Sequence, residues 1–401
     1  MSQLEALVTP SVMKWARERA HLSLDDAAAR IKRPVSDIEN WENGIVRPSI
    51  AQARKASEVY KRPLAVFYLP EPPTDFETLR DFRSLADTTL SEYSPELALV
   101  VRQARYRQEW TREFIVSEGA EKLSFVGSAS LRDSPATVAD KIMKVLQITS
   151  KEQQECLTRE EALRLWVQKT EEAGVFLFRQ GHVDLSEARG FVLSDDYAPF
   201  VFINSEDAKA AQMFTLLHEL AHLWINVDGL SNLEPFTSNT KRDVQEMEVF
   251  CNKVAAHALL NPSSFDDAWS RLDRSMPLED RIEAISLKFK VSEEAIARRL
   301  LEKGIISQAK YLELRSLYQV RWKDIKDHAY AKMKAAESGP SYYVRKAFNN
   351  GYSFTQTVIS AYDAGNVSGV EASGLLDVKV NHIGRLAVEV GLPVFGKAGV
   401  S

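Results

Sequence analysis

Thr215-Leu-Leu-His-Glu-Leu-Ala-His-Leu-Trp-Ile225 carries His218-Glu219-x-x-His222. Apolar residues fill both sides of the stretch and no glycine or proline interrupts it, so it reads as one helix. On a helix, positions i and i+4 share a face, so His218 and His222 can grip one metal ion. Glu219 lies about a hundred degrees around the helix from His218. There it can reach a water on that metal without being a ligand. Zinc suits imidazole, and a catalytic zinc takes three protein ligands and keeps one position for water. The ion acidifies the water and Glu219 takes its proton. Phe214, Leu217, Leu220, Ala221 and Trp224 make this a buried helix, where two histidines and a carboxylate are costly unless satisfied. A five-residue pattern also arises by chance, and the bland alternative is two surface or capped histidines on a core helix.

A third ligand must come from elsewhere. Asp243-Val-Gln-Glu-Met-Glu-Val-Phe-Cys-Asn-Lys-Val-Ala-Ala-His-Ala-Leu-Leu-Asn-Pro262 reads as a second helix ending near Pro262. Glu246 and Glu248 are its candidates. Glu248 shares a face with Cys251, Asn252 and Ala255, small residues that allow close packing on the first helix. Asp228 is a rival, but it needs a sharp turn where Ile225 stands instead of glycine. Glu248 is preferred.

Phe214-Thr-Leu-Leu-His-Glu-Leu-Ala-His222, then Glu248-x-x-Cys-Asn252-x-x-Ala-Ala256 and Leu259-Leu-Asn-Pro262, resembles the ImmA/IrrE family of zinc-peptidase-like proteins. The chain departs from that pattern at Cys251, Val254 and Asn261, none of them a candidate ligand. Gly174-Val-Phe-Leu-Phe178, Ala188-Arg-Gly-Phe191 and Phe202-Ile-Asn204 extend the resemblance, which spans roughly residues 75 to 305. It implies a Zn2+ cofactor and a protein substrate, a regulatory protein such as a transcriptional repressor cut in stress or mobile-element control.

The 401 residues suggest two or three domains, and 45% hydrophobic content is enough for real cores. No signal peptide and no membrane-spanning apolar run is visible, and two cysteines, Cys156 and Cys251, make no disulfide framework. A cytoplasmic location and no membrane partner are expected. Residues 1–70 hold 11 Lys and Arg against 8 Asp and Glu, a mildly basic head on an acidic body. That imbalance permits nucleic-acid contact at one end.

Residues 10–69 read as short helices: Pro10–Ala20, Leu24–Ile31 capped by Ser23, Val35–Gly44, Ser49–Tyr60 and Pro63–Leu69. Leu24-x-x-Ala-Ala28, Ile38-x-x-Trp41-Glu-x-Gly44 and Pro48 resemble the phage-repressor helix-turn-helix. That resemblance implies a double-stranded DNA partner and leaves a homodimer open. It places the third helix in the major groove, with Arg33, Val35, Ser36, Glu39 and Asn40 as candidate contacts. Asn40 can read adenine and Arg33 guanine or phosphate, while Asp37, Glu39 and Glu42 disfavour phosphate. A helical bundle that binds protein instead is the alternative.

Pro70-Glu-Pro-Pro73 marks a joint, and the Asp81-Phe-Arg83 segment resembles the family's entry into the peptidase region. Helices follow over 96–118, 135–146 and 158–172. Arg102, Arg105, Arg107 and Arg112 on the first of these read as a solvated face. Residues 174–179, 190–194 and 199–204 are short β runs bounded by turn residues. They suggest a small sheet beside the metal helix, with 199–203 as an edge strand able to align a peptide. Tyr197, His257 and Arg189 are candidate donors for a developing oxyanion.

Residues 291–300, with Ser292 as cap, resemble another helix-turn-helix-like unit that completes the core. The tail, with Tyr342, Tyr343, Phe348, Tyr352 and Phe354, either binds a partner or packs on the body. No repeat or glycine-rich phosphate loop is visible. The expected fold is mainly α with a small β-sheet, an α+β architecture. The expected division is a DNA-binding head over 1–70, a helical lead-in over 71–150, a zincin-like core over 151–305 and a helical region over 306–401. The rival function is a non-proteolytic regulator or antitoxin-like repressor with a structural or vestigial metal site.

Overall fold

The computed structural model describes residues 5–20, 22–73, 94–227, 229–231, 242–335 and 339–392. The head contains α1 (Pro10–Arg19), α2 (Leu24–Ile31), α3 (Val35–Glu42) and α4 (Ile50–Val59), followed by a 3-10 turn at Leu64–Tyr68. Ser23 caps α2 by accepting the Asp26 amide, and Lys32 ends it in the left-handed region. Ala27 and Ala28 are buried beside Ile38 and Trp41, as the pattern predicts. Glu42 does not face outward as expected. It is turned into the head, where its carboxylate meets the Arg17 guanidinium at 2.7 and 2.9 Å. This two-pronged pair ties the end of α3 to α1.

The body continues with α5 (Pro95–Ser117), α6 (Pro135–Val145), α7 (Ser150–Glu155) and α8 (Arg159–Glu172). Next come β1 (Phe176–Gln180), β2 (Gly190–Leu193), β3 (Phe200–Asn204), α9 (Lys209–Trp224), β4 (Gly229–Ser231) and α10 (Arg242–Leu259). The sheet order is β1-β3-β2-β4, with β1 parallel to β3 and the other pairs antiparallel. The strand expected at the edge, β3, therefore lies inside the sheet. Its unbroken Phe-Val-Phe-Ile run is buried throughout, which marks a strand covered on both faces. Among the described residues, β1 and β4 are the edges.

Alternation along the strands sorts the two faces. Leu177, Val192, Val201 and Ile203 join the core built on α9 and α10. Phe176, Phe178, Phe191, Phe200 and Phe202 join a second core on the other side. The rings stack in pairs, Phe176 on Phe200 at 5.1 Å and Phe191 on Phe202 at 4.9 Å.

The chain after α10 forms α11 (Pro262–Ser270), α12 (Leu278–Phe289), α13 (Glu293–Glu302) and α14 (Gln308–Ala335). It ends with α15 (Tyr342–Asn350), α16 (Tyr352–Asp363), α17 (Gly369–Leu376) and α18 (Ile383–Glu389). Ser292 caps α13, whose apolar face completes the main core as expected. The tail packs on the phenylalanine face: Phe354 meets the Phe200 ring at 5.8 Å, with Val358, Ile359 and Leu375 in the same cluster. Each fully buried phenylalanine contributes about 1.5–3 kcal/mol, so the sheet depends on this cover.

Arg107 is not on a solvated face. It is buried, donating to the Leu375 carbonyl at 3.1 Å and to Asn350 Oδ1 at 2.9 Å. Burial pushes its guanidinium down to about 10. Arg102 donates to the Lys61 carbonyl and Arg112 pairs with Asp195.

Glu171, near the end of α8, accepts the Ser353 amide in the first turn of α16 at 3.3 Å. Burial pushes its carboxyl up to about 7, against the pull of that amide and of Arg179. The folded chain thus holds this proton more tightly than the unfolded chain. The stabilisation is complete below the ordinary carboxylate range and is lost as pH rises through about 7. In urea titrations, the wild type should lose roughly 1–3 kcal/mol more than Glu171→Gln between about pH 5 and pH 8. Parallel pH profiles would contradict this assignment.

Candidate metal centre

Every residue of α9 from Thr215 to Trp224 is buried, His218, Glu219 and His222 completely so. α10 packs against α9 and against α6. The contact is close because Ala221 on α9 and Cys251 and Ala255 on α10 are small and buried. Glu248 is carried into the gap. His218 Nε2 lies 3.1 Å from Glu248 Oε2, His222 Nε2 lies 3.1 Å from Oε1, and the two imidazole nitrogens are 3.0 Å apart.

Asn252 sits one turn after Glu248 on the same face. Its side-chain oxygen accepts the His218 Nδ1 hydrogen at 3.1 Å. The bond fixes the ring and turns the Nε2 lone pair toward the cage.

Burial works to raise the Glu248 carboxyl, yet His218 and His222 hold it well below the usual carboxylate range. Burial lowers both imidazoles. At His218 the Glu248 charge and hydrogen bond outweigh burial and the pKa rises, whereas at His222 burial wins. The result is an ionised carboxylate and two imidazoles in a dry pocket, a donor set that suits a divalent cation. Ligand atoms around a tetrahedral zinc are about 3.3 Å apart, as follows from bonds near 2.0 Å. The distances here match that spacing, so His218, His222 and Glu248 form a group able to hold a metal ion.

Glu219 faces β2. A Cβ on Gly190 would stand 2.4 Å from Thr215 Cγ2 and 3.1 Å from Glu219 Oε1. Glycine is what lets the strand lie against the turn that carries Glu219.

Other candidates fall elsewhere. Glu246 is exposed, two residues and about 200° around α10 from Glu248. Asp228 and the 81–83 segment lie outside the described residues. His257 is nine residues past Glu248, hence on the opposite face of α10 and about 13 Å along it. Burial and the nearby Arg299 lower its pKa, and it has no contact with the cage. Tyr197 lies beyond the Leu193 end of β2, the end remote from Gly190, with Arg112 and Lys122 against its ring. Arg189 is bound to Asp207 at 3.0 Å. These three are therefore not assembled around the donors. Asn252 and Gly190 are in the sequence pattern, but their supporting roles are not assigned there. The signals were Asn252's spacing of four from Glu248 and a glycine inside an apolar strand.

In the head, Arg33, Ser36 and Glu39 are exposed, while Val35 and Asn40 are half-buried. Arg33 pairs with Asp37 at 2.6 Å, which offsets that carboxylate. The Asn40 carbonyl accepts the Ile45 amide.

A donor cage on a His-Glu-x-x-His helix, a carboxylate from the next helix and a small sheet beside them define a metallopeptidase-like centre. Residues 171–301 match the peptidase M78 family, described as the IrrE N-terminal-like domain. Residues 13–67 match the helix-turn-helix family, which supports DNA binding by the head. A comparison with curated proteins finds no match.

Replacing a residue that orients a metal-binding histidine typically costs 10–100-fold in metal affinity. Asn252→Ala should therefore weaken divalent-metal binding by roughly that factor in a chelator competition while leaving the fold intact. Unchanged affinity would remove Asn252 from the cage.

Proposed function

We propose that the chain is a zinc-dependent endopeptidase that cleaves a regulatory protein, such as a transcriptional repressor, and binds double-stranded DNA through its head. The observation that carries this reading is the approach of Glu248 to both imidazoles in a water-poor pocket, with Glu219 on the same helix. In this reading His218, His222 and Glu248 hold the ion. When bound, zinc would polarise the scissile carbonyl and lower the pKa of a water. Glu219 takes a proton from the attacking water at its carboxylate and returns it to the departing amine. Asn252 keeps the His218 ring in place. The β4 edge offers backbone groups to an extended peptide, the role first given to residues 199–203. No helix among the described residues is long and apolar enough to cross a membrane, which is compatible with a cytoplasmic substrate.

Purified chain should contain about one zinc, as expected of a single three-ligand catalytic site, and His222→Ala should lose it. Glu219→Gln should keep the metal and lose activity by at least a hundredfold, the lower range for a general base. The readout is new protein N-termini in cells expressing the wild type but not the variant. If Glu219→Gln behaves as wild type while DNA binding persists, the chain is a regulator without proteolysis.

A further inference from the structure

The C-terminal helices repeat the geometry of the head at a constant offset of 345 residues. Val367 and Leu22 are both buried, and Ser368 and Ser23 both cap the next helix through the amide three residues on. Ala372 matches Ala27, Leu376 matches Ile31, Ile383 matches Ile38 and Leu386 matches Trp41, all buried. Asp377 takes the left-handed turn at φ 51° where Lys32 takes it at φ 62°. The next amide reaches back five residues in both, Val378 to the Ser373 carbonyl at 3.2 Å and Arg33 to the Ala28 carbonyl at 2.9 Å. One helix earlier, Val358 and Ala361 are buried like Met13 and Ala16. Identity is confined to a few positions, which is why no repeat is visible in the sequence alone.

The geometry points to a second helix-turn-helix, α16 to α18, that engages the major groove of double-stranded DNA through the 3-10 turn at Val380–His382 and α18, which continues it. Its exposed side chains are those such a task needs. Asn381 occupies the place of Ser36 and Arg385 that of Asn40, and both are exposed. Asn and Arg are the side chains that pair with adenine and guanine edges. Lys379 is exposed at the helix entrance, where a cation suits a phosphate contact. The neighbouring carboxylate, Asp377, is ion-paired with Lys346.

A third unit shows that the turn alone does not decide. α12 and α13 are joined by Lys290, also left-handed at φ 59°. Yet Glu293 and Glu294 open its second helix and pair with Arg321 and Arg315 of α14. Ile296, Ala297 and Leu300 are buried in the main core. In that unit the opening acids are salt-bridged and the second helix is covered, whereas in the C-terminal unit Lys379, Asn381 and Arg385 are exposed, with the Tyr343 ring of α15 beside Arg385 and His382.

The test uses the full chain and a library of randomised duplexes several helical turns long. Wild type is used to select duplexes, and binding to the selected pool is then titrated by anisotropy and nuclease protection. Asn381→Ala with Arg385→Ala should lose roughly tenfold or more in affinity and shorten the protected stretch. Arg385→Lys keeps the charge without the fork, so it should blunt sequence preference and leave the salt slope unchanged. Lys379→Ala should reduce that slope by about one. These positions are exposed, so thermal midpoints should match wild type. Unchanged affinity, slope and protected length in the C-terminal variants would overturn the proposal. If Asn40→Ala abolishes binding while the C-terminal variants bind as wild type, the head is the only reader and the proposal fails.

Discussion

Glu248 is an ionised carboxylate set in hydrocarbon, facing two imidazoles across a helix–helix contact. An isolated charge in such a place costs several kcal/mol even after relaxation. Only the opposite helix can compensate it, and only if α9 and α10 approach closely. The requirement explains the small residues at the contact, the buried length of α9 and the Asn252 bond behind His218. It also explains why α6, α8 and the sheet all pack against the same helix. A shift of one helix turn would move the carboxylate about 5 Å and leave it facing alkyl groups.

The sheet supplies the second constraint. A strand layer beside the cage needs one apolar face for α9 and has another to hide. Here the aliphatic side chains serve the first and the phenylalanines serve the second. The C-terminal helices are therefore part of the body's packing. Their attachment is polar at defined points, with Arg107 reaching the end of α17 and Glu171 the start of α16. Buried groups of this kind fix one arrangement at some cost in desolvation, so the attachment responds to pH at Glu171.

Much of this was legible because short-range rules dominate it. Helix spacing brought His218 and His222 together and selected Glu248 over Glu246. Ser23, Gly44 and Ser292 punctuated helices where their side chains or backbone freedom required it. What was missed depends on partners remote in sequence. β3 reads as an edge strand until β1 and β2 pair along both of its sides. Arg107 reads as solvated until a carbonyl 268 residues away accepts its hydrogen. Glu42 reads as a DNA-facing acid until Arg17 draws it inward. Tyr197 and His257 had suitable chemistry, but register and helix phase place them away from the donors.

The left-handed turns at Lys32, Lys290 and Asp377 join helices in three settings, so backbone geometry cannot assign their roles. Each turn needs a residue that tolerates positive φ and a buried apolar residue just before it. Those demands are met by Ile31, Phe289 and Leu376. The rest of the second helix is free to vary. Where its apolar face meets the core and its opening acids pair with the next helix, as in α13, it is absorbed into the body. Where it keeps exposed Asn and Arg, as over 380–389, it remains available to a polyanion. The chemistry on the open face, set against what already covers it, separates a packing unit from a reading unit.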